Sequence, residues 1–391
     1  MKYWRGYLTA AIFAAITWAV MAFGRRFTVL VDMVYPYVMR TGQTMLAEWS
    51  SGVSFNLWQL LLVVLIVVGL ATLVLMIVLK WSPVQWLGWV LAVCSGVYML
   101  NTLLFGLNYY AGDLAEDIRM EVVEYNVEEL TEAAVYYRDK ANALAQKISR
   151  DESGNASFAD FDTLANQAGD GFHTLTYEYS YSVFAGSALP VKPLAWADMF
   201  TKRGITGITV ALTGEASVNP QLPDVCLPFA MCHEMAHRMC IATERDGNFA
   251  AFLACQANSS LEFQYSAYFM AYRYCYNALI LEGSAEASAA AARVNTGVSD
   301  QLYRDLHHVD QFFSAPAGSS AATAAAPADA QEKKSFGAVC DLLVSWHIQE
   351  VVLPSISQEE SRFDPFDESQ VDLTGIVNAP TAPTEETEPN E

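Results

Sequence analysis

The stretch from Phe55 to Leu79 carries no charged side chain and consists almost entirely of Leu, Val and Ile. About 20 such residues span the hydrocarbon of a bilayer as a helix, where every backbone N–H and C=O must find its partner inside the segment. A soluble core helix is rarely so long and so uniform, so this run commits the chain to a membrane. Two weaker runs flank it. Tyr7 to Phe23 follows Lys2 and Arg5, and its small residues Ala10, Ala11 and Ala14 lie inside the apolar run, not behind it as in a cleaved signal peptide. Gln85 to Phe105 follows a tight turn at Ser82-Pro83, with Trp81, Trp86 and Trp89 placed as an interfacial belt. Three transmembrane helices are therefore expected, at about 7–23, 55–79 and 85–105.

The chain is 53% hydrophobic with a formal net charge of −21. The apolar excess lies in residues 1–106 and the acidic excess beyond them. No clustered Lys and Arg are present to neutralise phosphates, which argues against a nucleic-acid partner. Lys2, Arg5 and Lys80 favour a cytoplasmic N-terminus and an extracytoplasmic soluble domain, whereas Arg25, Arg26 and Arg40 argue the other way. Of the seven cysteines, Cys94 lies in the third apolar run. The other six allow disulfides in an exported domain or buried thiols in a reduced one, and spacing does not choose.

Beyond the anchor, residues 107–356 read as one soluble domain of mainly α (α+β) class. Gly24 to Ser54 reads as an extramembrane helix pair packing on that domain. Leu107 to Ser149 has helical periodicity with a break near Asn126, where Asn126 and Glu129 form a capping box. Gly204 to Thr213 is the clearest strand, β-branched and glycine-bounded. Helices are expected from Pro228 to about Met239, from an N-cap at Thr243, from Leu261 to Leu281 and from Gln301 to Phe313. His173 reads as a surface residue. Residues 314–334 are a low-complexity insertion and 357–391 an acidic, disordered tail.

Cys232-His233-Glu234-Met235-Ala236-His237 contains H-E-x-x-H. On a helix the two imidazoles sit one turn apart on one face, where both can bind one Zn²⁺, and the glutamate between them can serve as general base on a water. A catalytic zinc needs a third protein ligand. The metzincin pattern would place a histidine six residues on, but Thr243 is there. Glu244 is the leading candidate, with Asn248 one turn later positioned to hydrogen-bond a ligand histidine. Asp246 ranks below Glu244. Cys232 and Cys240 rank lower still, because thiolate sites tend to be closed and structural.

The E-x-x-x-N element after the motif resembles gluzincin peptidases. Gly214 to Pro220, Leu227-Pro228-Phe229, His233 to His237 and Glu244 to Cys255 together resemble a family of bacterial membrane-anchored H-E-x-x-H proteins of unassigned function. Leu107-Asn108-Tyr109-Tyr110, Gly204 to Gly207 and Ser335-Phe336-Gly337 extend the resemblance. It implies three N-terminal spans, a zincin-like domain and Glu244 as third ligand. Cys240, where a glycine is expected, and Asp246-Gly247, where Glu-Ala is expected, depart from the pattern.

The expected activity is a membrane-anchored zinc metalloendopeptidase of the bacterial cell membrane acting on a peptide or protein. Glu234 is the base, His233, His237 and Glu244 hold the metal, and Asn248 supports them. Tyr265, Tyr268 and Glu215 are possible transition-state or substrate contacts, with Tyr272, His307 and His308 as further donors. The alternative is a zinc-binding sensory or interaction module without turnover; the blandest reading is a structural helix without metal.

Overall fold

A computed structural model describes residues 4–177, 179–314 and 339–355. The low-complexity insertion beyond Ser314 and the acidic tail lie outside the described residues. Met1 to Ser345 forms one compact unit. The second unit begins at Trp346, and its described part is a short helical stretch with a π turn at Ile348–Val352.

Among the described residues, three helices are long and apolar enough to cross a membrane: α1 (Arg5–Arg26), α3 (Leu57–Val78) and α4 (Pro83–Leu104). α1 and α4 pack in parallel. A Cβ on Gly6 would overlap the backbone at Gly88, Gly96 receives Phe13, and Gly24 lies under Leu107 and Tyr110. Such small-residue contacts let helix backbones approach where the hydrophobic effect gives no drive. α3 runs the opposite way and stands apart, with none of its most apolar residues buried.

The segment between the first two spans differs from expectation. It is a single helix, α2 (Thr28–Ser51), entered directly after Phe27 and containing Pro36. It does pack on the soluble part, as its sequence suggested. Arg40 is buried and donates to the carbonyls of Met239 and Ser182, both at 3.2 Å, and the Gln43 amide donates to Ala211 O at 3.1 Å. These bonds satisfy polar groups that burial would otherwise leave costly.

After a 3-10 turn at Gly106–Tyr110, α5 (Leu114–Asp117) is short, and an extended connection leads to α6 (Val127–Ala145). The expected helix thus begins later than Leu107. Its capping box is formed as expected: Asn126 Oδ1 accepts from the amides of Glu128 and Glu129, and Glu129 Oε2 accepts from Asn126 N at 2.8 Å. α7 (Phe161–Tyr177), with exposed His173, and the short α8 (Ala197–Thr201) follow.

The sheet is small. β1 (Lys192–Pro193) pairs in parallel with β3 (Glu215–Val218), and β3 pairs antiparallel with β2 (Gly207–Val210) in the order β1-β3-β2. Of the strand expected over residues 204–213, Gly207–Val210 forms, at the edge of the sheet, and the chain turns back into β3 through Gly214 at φ +66. Behind the sheet lies α9 (Leu227–Arg238), in contact with β2 and β3 on one side and with α7, α10 (Glu244–Ala257) and α11 (Leu261–Glu282) on the others. α12 (Ala285–Asn295), α13 (Asp300–Ser314) and α14 (Cys340–His347) complete the described helices. All seven cysteines are free thiols, and only Cys94 is exposed. A mainly α chain with a small β element is thus what the sequence specifies.

Candidate metal centre

The motif helix α9 starts at Leu227-Pro228, where proline's missing N–H costs nothing. It ends in a left-handed residue, Cys240 at φ 71. Cys240 N bonds His237 O at 2.9 Å and Ile241 N bonds Ala236 O at 3.1 Å, a Schellman-type closure that usually takes glycine. This is the position where the sequence departs from its expected glycine, and holding an L-residue there costs about 1 kcal/mol. The closure has a further effect. It turns Ile241 O back toward the helix, where it accepts from His237 Nδ1 at 2.8 Å. That bond makes Nδ1 the donor and turns Nε2 toward Glu244 and His233.

Thr243 then caps α10, accepting from Asp246 N at 3.1 Å, and places Glu244 at the first turn facing back onto α9. His233 Nε2 and His237 Nε2 are 3.0 Å apart, and Glu244 reaches them at 3.2 and 3.5 Å. One ligand atom from each of the three residues lies within 4.8 Å of the others. Hydrogen bonds from the two imidazoles pull the Glu244 carboxyl well below its ordinary range. Burial works against protonating His237, but the carboxylates of Glu244 and Glu234 outweigh it and raise its pKa. Two imidazoles and a carboxylate gathered in this way fit a divalent ion of the zinc type.

Glu234 points from the same helix to the sheet. It is 5% exposed, and Thr209 Oγ1 donates to its Oε2 at 2.7 Å. A Cβ on Gly207 would overlap the Glu234 carboxyl group. The strand therefore meets the acid through a glycine and a hydroxyl. Burial raises the Glu234 pKa, opposed by the imidazoles and by Thr209.

The other sequence candidates separate. Asn248 is buried on α10, but among the described residues no hydrogen bond joins it to either histidine. Gly247 takes the adjacent place: a Cβ there would lie 3.2 Å from Cε1 of both rings. The α10 residue packed against the two rings is thus Gly247, whose missing side chain lets the helix approach them. Asp246 faces away, into a recess with Asp32 and Asp117. Cys232 is fully buried with its thiol toward Ala168 O, and Cys240 is spent on the turn, so neither joins the cluster.

Tyr265 is buried and donates to Asp305, which also binds Arg150, so it belongs to the core, not to the cleft. Tyr268 packs against Tyr136, Tyr137 and Phe252, and Tyr272 against Tyr276. His307 stacks on Tyr303, and His308 lies beside it on α13. Glu215 does not line the cleft but is turned to the start of α3. It accepts from the amides of Leu57 and Trp58, both at 2.9 Å, and pairs with Lys192 at 2.7 Å, so it caps the N-terminus of α3.

The cleft in front of the cluster, about 250 Å³, is lined by Gly207, Ile208 and Thr209 of β2, by Glu234, His237 and Glu244, and by Asn101, Phe105 and Tyr109. Sequence reasoning did not place the last three here. The only pointer to them was the tyrosine pair directly after the third span.

The fold and site define a class: a chain with three bilayer-length apolar helices carrying, beside the end of one of them, an H-E-x-x-H helix whose histidines converge with a glutamate. Over residues 31–326 the chain matches the family described as protein of unknown function (DUF3810), and it belongs to that family. No curated protein and no solved structure matches it.

Proposed function

We propose that the chain is a membrane-anchored zinc metallopeptidase of gluzincin type, in which His233, His237 and Glu244 hold Zn²⁺ and Glu234 is the general base. The observation that carries this reading is the convergence of the three ligand atoms beside a fourth residue, the buried carboxylate Glu234. A purely structural zinc site would have no use for that carboxylate. Zinc bound there supplies a Lewis acid that lowers the pKa of a water and polarises a carbonyl.

The chain's own groups account for the rest. Glu234, made more basic by burial and kept ionised by Thr209 and the nearby imidazoles, takes a proton from the attacking water. It then returns that proton to the departing amine, so the peptide C–N bond breaks with protons in balance. β2 is the last strand of the sheet and borders the cleft with Gly207, Ile208 and Thr209, which suits an extended peptide added along its edge. Tyr109, whose pKa is raised by burial and by Glu244, is a neutral hydroxyl donor beside the cluster. Asn101 offers an amide. Either can meet a developing oxyanion.

An extracytoplasmic domain in a bacterial cell membrane completes the proposal. Arg5 and Lys80 lie at the membrane end away from the cleft, and Arg40 is consumed inside the fold. The mechanism is tested with Glu234→Gln in the full-length protein. Zinc content should match wild type, while hydrolysis of a peptide library, read by mass spectrometry, should fall by at least a thousandfold. Unchanged hydrolysis would rule the base out.

A further inference from the structure

A groove of about 1340 Å³ lies between α3 and α4. α3 is tied to the soluble part at its N-terminus through Glu215, through Trp58 Nε1 to Ser217 at 3.1 Å, and through the Gln59 amide to Ala195 O at 3.0 Å. At its other end the turn over residues 80–82 joins it to α4. A single bond, Trp86 Nε1 to Thr72 Oγ1 at 3.1 Å, braces the span between. The two helices are thereby held apart, and the groove follows α4 from Gln85 to Asn101, about 24 Å at 1.5 Å per residue and most of the hydrocarbon thickness, with Leu65 to Thr72 of α3 and the turn beyond it as the other wall.

Two features indicate what fills it. The first is continuity. Asn101 lines both the groove and the candidate cleft, and at the end of β2 Ala211 lines the cleft while Leu212 lines the groove. A peptide laid along β2 past Ala211 would run straight into the space between the spans. The second is the wall. Gly69 of α3 lines the groove with nothing within 4 Å of where its Cβ would stand. In the α1–α4 contact the corresponding notches at Gly6, Gly88 and Gly96 are filled by a neighbouring helix. The open notch is the same device without its partner.

We infer that the α3–α4 groove receives a transmembrane helix of the substrate, so that the site acts on the extended segment directly outside the bilayer. The substrate class is thus a membrane-anchored protein, and the inference rests on the peptidase reading above.

Cys94 provides the test, because it lines the groove and is the exposed cysteine of the chain. The full-length protein is reconstituted in phosphatidylcholine vesicles with a synthetic single-pass Leu/Ala helix. That helix bears one cysteine at mid-membrane and, outside the membrane, a randomised segment. Copper-phenanthroline oxidation should crosslink Cys94 to the helix in wild type and in Glu234→Gln. Crosslinking should be at least tenfold weaker from a Cys94→Ala/Ile12→Cys control, which puts the thiol on α1. Val97→Trp, which fills the groove from α4, should abolish it, and Gly69→Leu should do so from α3 if the first variant does not reconstitute.

The zinc-loaded wild type should cleave the anchored segment at least tenfold faster than the same segment without its helix. Val97→Trp should lose that advantage and keep the rate on the free segment. Crosslinking no stronger than from the α1 control, or equal cleavage of anchored and free segments, would overturn the inference and leave the groove to lipid. Selective crosslinking with neither segment cleaved would uphold the groove and overturn the peptidase reading instead.

Discussion

Glu234 is held by contacts that no short motif encodes. Thr209 bonds its Oε2 and also its backbone carbonyl, at 2.7 and 2.8 Å, and Gly207 leaves the room it occupies. Hydrogen bonds to charged groups contribute about 1.5–3 kcal/mol, so Thr209→Val should lower kcat/KM by roughly tenfold or more without changing zinc content. Gly207→Ala should have the larger effect, since its methyl occupies the carboxylate's position. Both are checked by kinetics alongside elemental analysis. Asp117 offers a separate test. Burial, then the neighbouring Asp32, raise its pKa to about 6, with Arg40 opposing. A carboxyl whose folded pKa exceeds its unfolded one binds its proton more tightly when folded, so stability falls as pH rises from about 4 through 6. Asp117→Asn should therefore raise Tm at pH 8 and leave it nearly unchanged at pH 4, in thermal melts of detergent-solubilised protein. At this scale His233, Glu234, His237 and Glu244 were legible, because their spacing is a helical repeat followed by a cap. Gly247 and Gly207 were not, since a missing Cβ acts only through what approaches it. Asn248 lies one helical turn after Glu244, as the E-x-x-x-N spacing says, but one residue from the position that touches the rings.

Among the elements, the long helices and their caps could be read directly, as the Asn126–Glu129 box shows. The second helix could not. The sequence between the first two spans is polar and aromatic because it faces the soluble domain, and Arg40 and Gln43 look solvent-facing until their carbonyl partners are known. β3 was equally hidden. Glu-Ala-Ser-Val reads as a polar loop, yet all four residues are buried, and Glu215 is satisfied by the first amides of α3. Glu215→Ala would uncap that span and leave Lys192 without its carboxylate inside the fold. Breaking such a buried pair costs about 3 kcal/mol, so Tm should drop by several degrees, whereas a substrate-contact role would leave Tm unchanged and raise KM.

For the whole molecule, the apolar runs that commit the chain to a membrane also set where the candidate metal site lies. α1 and α4 end, and α3 begins, on the side that carries the soluble domain, and the last turns of α4 form one wall of the cleft. Composition placed the anchor before the domain but carried no sign that the two share a site, because that depends on which helix ends meet. Membrane attachment is on this account part of the site and not merely a tether. If the three converging residues form a zinc centre, as proposed, elemental analysis of the purified full-length protein will show it. Wild type and Glu234→Gln should each retain about one zinc per chain, while His233→Ala and His237→Ala should lose it. Zinc at background level in folded wild type, or undiminished in both histidine variants, would contradict it.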